Sequence, residues 1–265
     1  MTLINIICNQ NQYSKDTADL LKQKLTKNGF NISTNYCDNA FLNIVVGGDG
    51  AFLRAVHSSN YSKIPFIGIN TGHLGFFQEL SPEQIDSFIE QLKSKNYTLE
   101  KVFLLNSQIK TPKRTFSIYG VNEITIKSNS SRTVHLQISI NNTFLERFSG
   151  DGVIISTPLG STAYNYSSGG SIIYPSLGTL QLTPLAPINS KIYRSLTSGI
   201  VVPNSHKIEL IPEYRDEDSL MISIDGLQHQ YSNISSIVTS MSRKTITILK
   251  IESKDFWTNI RDKFL

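Results

Sequence analysis

The chain lacks the features that define several protein classes. Its only cysteines, Cys8 and Cys37, form neither a C-x-x-C pair nor part of a histidine cluster. Such isolated cysteines indicate reduced thiols rather than a disulfide framework or a zinc site. No apolar run reaches the roughly 18 to 20 residues of a membrane helix, and the segment after Met1 lacks the cationic stretch of a secretory signal. The sequence therefore predicts a cytoplasmic protein.

An excess of charge of one sign is also missing. The 25 Lys and Arg residues exceed the 21 Asp and Glu residues by only 25 − 21 = 4 charges. So small and dispersed an excess argues against a nucleic-acid-binding surface. Of the 265 residues, 39% are hydrophobic and 17% are charged, which excludes a disordered or fibrous chain. This length can bury a substantial core, in one large domain or two moderate ones.

Residues 1–98 predict an α/β lobe, because short apolar runs alternate with segments of helical period. Ser81 before Pro82, with Gln84 able to reach back to the cap, marks the start of one helix. Strands are predicted at 3–8, 43–46 and 65–70, and helices at about 16–28, at 51–57 and after Ser81.

Residues 99–252 predict a β-rich lobe, because the apolar period changes to two, as in the segment from Val134 to Ile140. Strand character continues near the end of this lobe, at 245–251. Pairs such as Asn141-Asn142 and Asp225-Gly226 supply residues that tolerate positive φ in tight turns. The segment 253–265 spaces Phe256, Ile260 and Phe264 by four, which predicts an amphipathic helix, starting near Lys254, that folds back across one of the lobes.

The most informative segment is Gly47-Gly48-Asp49-Gly50, where a predicted strand ends in glycines directly before a helix. Such a junction brings backbone N–H groups and the helix dipole toward an anion, which favours phosphate binding. Asp49 at the strand end could accept a proton from a substrate hydroxyl. The segment alone is equally compatible with a plain turn in which Asp49 caps the helix. A Walker A loop is excluded because no Gly-Lys-Ser/Thr follows, and a dinucleotide fingerprint is excluded because Leu53 replaces its third glycine.

Further motifs follow along the chain. Asn122-Glu123 and Asp225-Gly226, taken alone, are typical of a solvated strand edge and a hairpin turn. In order, the motifs are Gly68-Ile69-Asn70-Thr71-Gly72-His73-Leu74-Gly75-Phe76-Phe77, Asn122-Glu123 inside a predicted strand at 119–127, Gly150-Asp151-Gly152, Ser156-Thr157-Pro158-Leu159-Gly160-Ser161-Thr162-Ala163-Tyr164, and Ile224-Asp225-Gly226.

Together, in this order and across nearly the whole chain, these segments resemble the NAD kinase family. The resemblance implies a Rossmann-like α/β lobe followed by a β-sandwich-like lobe, with the C-terminal helix folding back. It implies transfer of phosphate from ATP to the adenosine 2′-hydroxyl of NAD, giving NADP, with a divalent metal, Mg²⁺, as cofactor. It also implies a cytoplasmic homo-oligomer, commonly a tetramer.

The same resemblance assigns roles to individual positions. Asp49 matches the catalytic carboxylate, and Gly47 and Gly48 match the phosphate loop. The chain itself supplies no metal ligand that the motifs identify. The positions that match substrate-binding residues are Gly50, Phe76, Asn122, Glu123, Asp151, Thr162, Ala163, Tyr164, Asn165, Ser167, Ala186 and Asp225.

Two positions depart from the family pattern, and two other functions remain open. Ala51 stands where the family usually has Thr, and Ser149 stands where a cation is frequent, although Arg147 would share a strand face with Ser149. These losses would suit a non-catalytic dinucleotide sensor. A lipid or sugar kinase with the same GGDG loop is the other alternative. The phosphoryl donor, ATP or polyphosphate, and the acceptance of NADH are left open.

Overall fold

The computed structural model describes residues 2–72, 75–130, 132–190, 194–214, 219–251 and 255–265. The chain forms two compact units, Met1–Val102 with Thr245–Leu265, and Phe103–Lys244. His73 and Leu74 of the predicted glycine-rich turn, and Lys254 at the predicted helix start, lie outside the described residues.

The first unit is an α/β lobe, as predicted. Its strands pair in the order β2-β1-β3-β4, all in parallel, and β4 also pairs in parallel with β5 and, at Ile248, with β17. Its elements are β1 (Leu3–Cys8), α1 (Gln12–Lys27), β2 (Asn31–Ser33), β3 (Leu42–Gly47), α2 (Asp49–Ser58), β4 (Phe66–Asn70), β5 (Gln78–Leu80), α3 (Ile85–Ser94), the start of β6 (Thr98–Lys110), the end of β17 (Ser236–Lys250) and α5 (Phe256–Phe264).

Local sequence explains these elements. β3 is buried along its whole length, Asn43 included, as the apolar run Ile44-Val45-Val46 predicts for a central parallel strand. α1 begins four residues before the predicted Asp16, because Asn11 caps it by accepting a hydrogen bond from the Ser14 backbone N–H at 2.8 Å. Gln84 accepts a hydrogen bond from the Ser81 N–H at 2.9 Å, as predicted, although a short 3-10 turn at Pro82–Gln84 precedes α3.

The second unit consists mainly of β-strands in two sheets. One sheet has the order β13-β12-β11-β8-β15-β16 and is antiparallel, and the other contains β10-β9-β14-β17 with β6 and β7. Its further elements are β7 (Thr115–Gly120), β8 (Glu123–Ser128), β9 (Val134–Ile140), β10 (Thr143–Gly150), β11 (Gly152–Ser156), α4 (Tyr164–Ser167), β12 (Thr179–Leu185), β13 (Ile200–Pro203), β14 (Ile208–Pro212), β15 (Ser219–Ile224) and β16 (Leu227–Ser232).

A single core lies between these two sheets. Leu136 and Ile138 of β9 are buried with Ile124 of β8 and Val153 of β11 in one hydrophobic cluster. Each strand contributes alternate residues to this cluster, as the period of two predicts. The sandwich-like arrangement of the second unit is thus confirmed.

Two sequence-based details need revision. The strand predicted at 119–127 is two strands, because β7 ends at Gly120 and β8 begins at Glu123. The strand predicted at 245–251 is the end of the longer β17. The compact units group residues 245–251 with the first unit, whereas boundaries at 98 and 252 were predicted from the sequence. The lobe boundaries at 98 and 252 stay a prediction.

Among the described residues, no helix is long and apolar enough to cross a bilayer.

Candidate active site

Asp49 lies at the carboxyl end of β3, as the first residue of α2. Its Oδ2 accepts a hydrogen bond from the Phe76 backbone N–H and its Oδ1 from that of Phe77, each at 3.0 Å. Two such bonds restrict rotation of the carboxylate and leave its other lone pairs in fixed directions. The helix cap is Gly48 rather than Asp49, so the capping role considered for Asp49 is wrong. The glycine-rich segment after β4 positions this carboxylate.

Two glycines make room for this arrangement. A Cβ atom at Gly75 would overlap the Asp49 carboxylate, so only glycine permits the observed approach. A Cβ atom at Gly47 would collide with the Cβ of Ala51, which is buried beneath it. A Cβ atom at Gly48 would meet open space, and one at Gly50 would lie 3.4 Å from Arg54 Nη1. Backbone N–H groups at the start of α2 could meet an anion beside these two glycines. Gly75 belongs to the predicted glycine-rich turn, but the local sequence indicates no role for it.

The C-terminal helix α5 covers one side of Asp49 within the first unit. Phe256 and Phe264 contact the ring of Phe76, with ring centroids 6.3 and 6.0 Å away. The Lys263 Nζ lies 3.4 Å from Asp49 Oδ2. The predicted fold-back of this helix is confirmed, while the cation it brings to Asp49 was missed because nothing in the local sequence relates position 263 to position 49.

In the second unit, Asp225 fixes the backbone around Asn122 and Glu123. Its carboxylate accepts hydrogen bonds from the N–H groups of Val121 and Asn122, both at 2.7 Å, and of Glu123 at 3.2 Å. These bonds satisfy backbone N–H groups at the junction between β7 and β8. Asp225 and Gly226 form the two-residue turn between β15 and β16, with φ of 47° and 84°. The contact of Asp225 with substrate stays a prediction, and its observed contacts organise the backbone.

Asn122 and Glu123 present buried polar atoms that have no hydrogen-bond partner among the described residues. These atoms are Asn122 Oδ1 and Glu123 Oε2. Burial, with a smaller contribution from the negative charge of Asp225, raises the pKa of Glu123 to about 8. An unpaired buried polar atom is costly, and a ligand that hydrogen-bonds to it offsets that cost. This pair is therefore suited to bind a polar ligand.

The serine- and threonine-rich motif packs directly against this pair. The Thr157 side chain donates a hydrogen bond to the Val121 carbonyl at 2.8 Å, and the Thr157 N–H donates to the Asn122 carbonyl at 2.8 Å. A Cβ atom at Gly160 would overlap the Asn122 backbone, so glycine is required there. The two motifs lie about 35 residues apart in the sequence, and the fold of this unit brings them into contact.

The other predicted binding residues of this motif have different surroundings. Thr162 is buried and Ala163 half-buried, and Tyr164 accepts a hydrogen bond from Lys127 Nζ at 2.6 Å. Asn165 is fully buried, and its Oδ1 accepts a hydrogen bond from Thr183 Oγ1 at 2.6 Å. Because Asn165 is buried among protein groups, the structure supports a packing role, and its contact with a ligand stays a prediction. Ser167 is exposed at the end of α4.

Asp151 and Ala186 are neighbours in the second unit. The Asp151 N–H donates to the Leu185 carbonyl at 2.9 Å, and Ala186 has a φ of 42°, which is unusual for a residue other than glycine. Ser149 is buried and lies 2.8 Å from His135 Nδ1 through its Oγ. Arg147, considered as a replacement cation, forms an ion pair with Glu213 at 3.2 Å.

Family models match both parts of the chain. The model described as the ATP-NAD kinase N-terminal domain matches residues 8–97, and the one described as the ATP-NAD kinase C-terminal domain matches residues 121–250. The chain is 46% identical over 269 residues to the NAD kinase of Finegoldia magna, covering 99% of this chain and 98% of that protein. It is 34% identical over 272 residues to the NAD kinase of Streptococcus gordonii, covering 99% and 95%.

Solved structures share the fold at lower identity. A yeast NADH kinase complexed with NADH superposes with a TM-score of 0.86 at 19% identity, covering 98% of this chain and 86% of that one. An NAD kinase from Archaeoglobus fulgidus in complex with ATP gives a TM-score of 0.79 at 23% identity, covering 98% and 99%. With both family models matched in order and a relative 46% identical across nearly its full length, this chain belongs to the NAD kinase family.

Proposed function

We propose that the chain is an NAD kinase, which transfers the γ-phosphoryl group of ATP to the 2′-hydroxyl of the adenosine ribose of NAD. Membership of the family supports this activity. The observation that supports it most is the Asp49 carboxylate, held at the end of a central strand by two backbone N–H groups with lone pairs left for a substrate hydroxyl.

In this proposal, Asp49 acts on the hydroxyl that attacks. A ribose hydroxyl is a weak nucleophile at neutral pH, so its oxygen must lie in line with the γ-phosphorus. As the new oxygen–phosphorus bond forms, the bond to the β-phosphate oxygen breaks and ADP leaves. The hydroxyl proton passes to Asp49 and from there to solvent. The Phe76 and Phe77 N–H groups keep the carboxylate in place during this transfer.

Asn122 and Glu123 bind polar groups of the dinucleotide. Asn122 Oδ1, which has no partner among the described residues, can accept a hydrogen bond from an amino group of a base, and Glu123 Oε2 can hydrogen-bond to a ribose hydroxyl. The backbone that carries both is fixed by Asp225 before any ligand arrives. Preorganisation of this kind reduces the entropic cost of binding.

The described residues do not fit a resident divalent cation. Among the described residues, no group of three or more His, Cys, Asp or Glu side chains is placed to hold a metal. The Asp49 carboxylate already accepts hydrogen bonds from two backbone N–H groups, and the Lys263 ammonium lies beside it. We therefore propose that Mg²⁺ enters as part of the substrate, bound to the phosphate oxygens of ATP.

The family resemblance further supports a cytoplasmic location and a homo-oligomer, most simply a homotetramer. Sedimentation equilibrium of the purified chain measures the oligomer directly, and a monomer at micromolar concentration would contradict this part of the proposal. Inorganic polyphosphate as an alternative donor is tested by replacing ATP in the activity assay.

The activity test incubates the purified chain with NAD, ATP and Mg²⁺ and measures NADP by chromatography. NADP formation supports the proposal. NAD binding without NADP formation would instead support a dinucleotide sensor, consistent with the loss of a hydroxyl at Ala51. If the chain neither binds NAD nor phosphorylates it, that result favours the lipid or sugar kinase alternative.

Asp49→Asn tests the role of the carboxylate. It should lower kcat by about 10²- to 10⁴-fold, the usual contribution of a general base. Asp38→Asn, which removes an exposed carboxylate from the same unit, is the matched control and should leave kcat unchanged. An Asp49→Asn variant with nearly full kcat would remove Asp49 from the mechanism.

A further inference from the structure

The helix α5 is anchored beside Asp49 by aromatic contacts. Asp255 caps its start by accepting a hydrogen bond from the Thr258 N–H at 3.2 Å. Phe256 and Phe264 then pack against Phe76, whose own N–H binds Asp49. The helix therefore packs on the same residue that holds the carboxylate.

Lys263 lies on this packed face of the helix. Positions 256 and 263 are seven residues apart, close to two helical turns, so their side chains share one face. The Lys263 Nζ is 3.4 Å from Asp49 Oδ2 and 4.5 Å from the centroid of the Phe76 ring. Its side chain is 28% exposed, and that of Asp49 is 26% exposed, so the pair is partly shielded from water. A cation in contact with both a carboxylate and an aromatic face is held by two attractive interactions.

The ammonium supplies something that the two backbone N–H groups do not. The N–H groups orient the Asp49 carboxylate but carry only partial positive charge, so its full negative charge would repel the phosphates of ATP. We propose that Lys263 is a positioning residue for the reaction: it holds Asp49 Oδ2 and offsets its negative charge beside the incoming triphosphate. This inference rests on the proposed kinase function.

Steady-state kinetics of four proteins test the proposal: the wild type, Lys263→Met, Lys263→Arg and Arg261→Met. Methionine keeps an unbranched apolar chain but removes the charge, so kcat/KM for ATP should fall about tenfold, as expected for one lost charged interaction. KM for NAD should stay within about twofold of wild type, because the ammonium does not contact the dinucleotide in this mechanism. Arginine should retain most of the activity because it keeps the charge.

Arg261→Met is the matched control. It removes a cation from the same helix, where the Arg261 guanidinium binds Asp262 rather than Asp49, and it should behave as wild type. An active wild type with equal kinetics for Lys263→Met and Arg261→Met would overturn the inference alone. Equal losses in Lys263→Met and Lys263→Arg, or a parallel rise in KM for NAD, would also overturn it, because either points to packing rather than charge. A wild type that makes no NADP would refute the kinase function and this inference together. If Lys263→Met does not fold, Lys263→Gln takes its place.

Discussion

Raising the pH from 6 to 7.5 should weaken the second unit through a single side chain, Glu123. Burial, and then the negative charge of Asp225, raises the pKa of this carboxyl from 4.5 to about 8 in the folded protein. In the unfolded chain the same group ionises near 4.5, so between these values the folded state holds an extra proton. The stabilisation is full below about 4.5 and is lost as the pH rises toward about 8.

The size of the effect follows from linkage. One extra proton on the folded state changes the free energy of unfolding by about 1.4 kcal/mol per pH unit. Over the 1.5 units from pH 6 to 7.5, Glu123 should therefore remove about 2 kcal/mol of stability. Glu123→Gln has no ionisable group at this position. Its free energy of unfolding should therefore fall by about 2 kcal/mol less than that of the wild type between pH 6 and 7.5.

Urea unfolding followed by far-ultraviolet circular dichroism at several pH values measures the difference between wild type and Glu123→Gln. Glu209→Gln, which removes a carboxylate from the other sheet of the same unit, is the matched control and should parallel the wild type. Carbon-13 NMR of labelled glutamate gives a second measurement, with one carboxyl titrating near pH 8 and absent in Glu123→Gln. Parallel pH profiles for wild type and Glu123→Gln, or a Glu123 titration midpoint near 4.5, would refute the reasoning.

Two further substitutions test the rest of the candidate site. Asn122→Ala should raise KM for NAD about three- to tenfold with a smaller change in kcat, because the lost hydrogen bond is present in both ground and transition states; equal changes in both constants would contradict this role. Gly75→Ala should lower kcat about ten- to a hundredfold in the NADP assay, because the new Cβ displaces the Asp49 carboxylate, and its thermal unfolding should stay close to that of wild type. Gly72→Ala, where a Cβ meets open space, is the control for Gly75→Ala.

Local patterns were sufficient for most individual elements of this fold. The apolar run at β3, the cap at Ser81, the alternation along β9 and the two-residue turn at Asp225 depend on residues close together in sequence. Short-range sterics and hydrogen bonding act at this scale, so periodicity and turn chemistry predict them. The motif order likewise identified the family before any contact was known.

Contacts between distant residues could not be predicted in this way. The strand expected at 119–127 is interrupted where the Asp225 carboxylate binds its backbone. Asp225 lies 103 positions after Asn122, whose N–H it accepts. Asn165 matched a binding motif, yet tertiary packing buries it completely. Secondary-structure propensity and motif matching use only neighbouring residues. The contacts that a segment makes with distant residues after folding decide where a strand ends and whether a side chain is buried.

The environment of Asp49 depends most on tertiary structure. The segment Gly47-Gly48-Asp49-Gly50 predicts a carboxylate directly after a strand, where it can accept a proton or a hydrogen bond. The partners of that carboxylate come from Phe76, Phe77 and, 214 positions along the chain, Lys263. Local sequence encodes which chemical groups are present, whereas only the packing of remote segments sets their distances and charges, because those contacts exist in the folded chain alone.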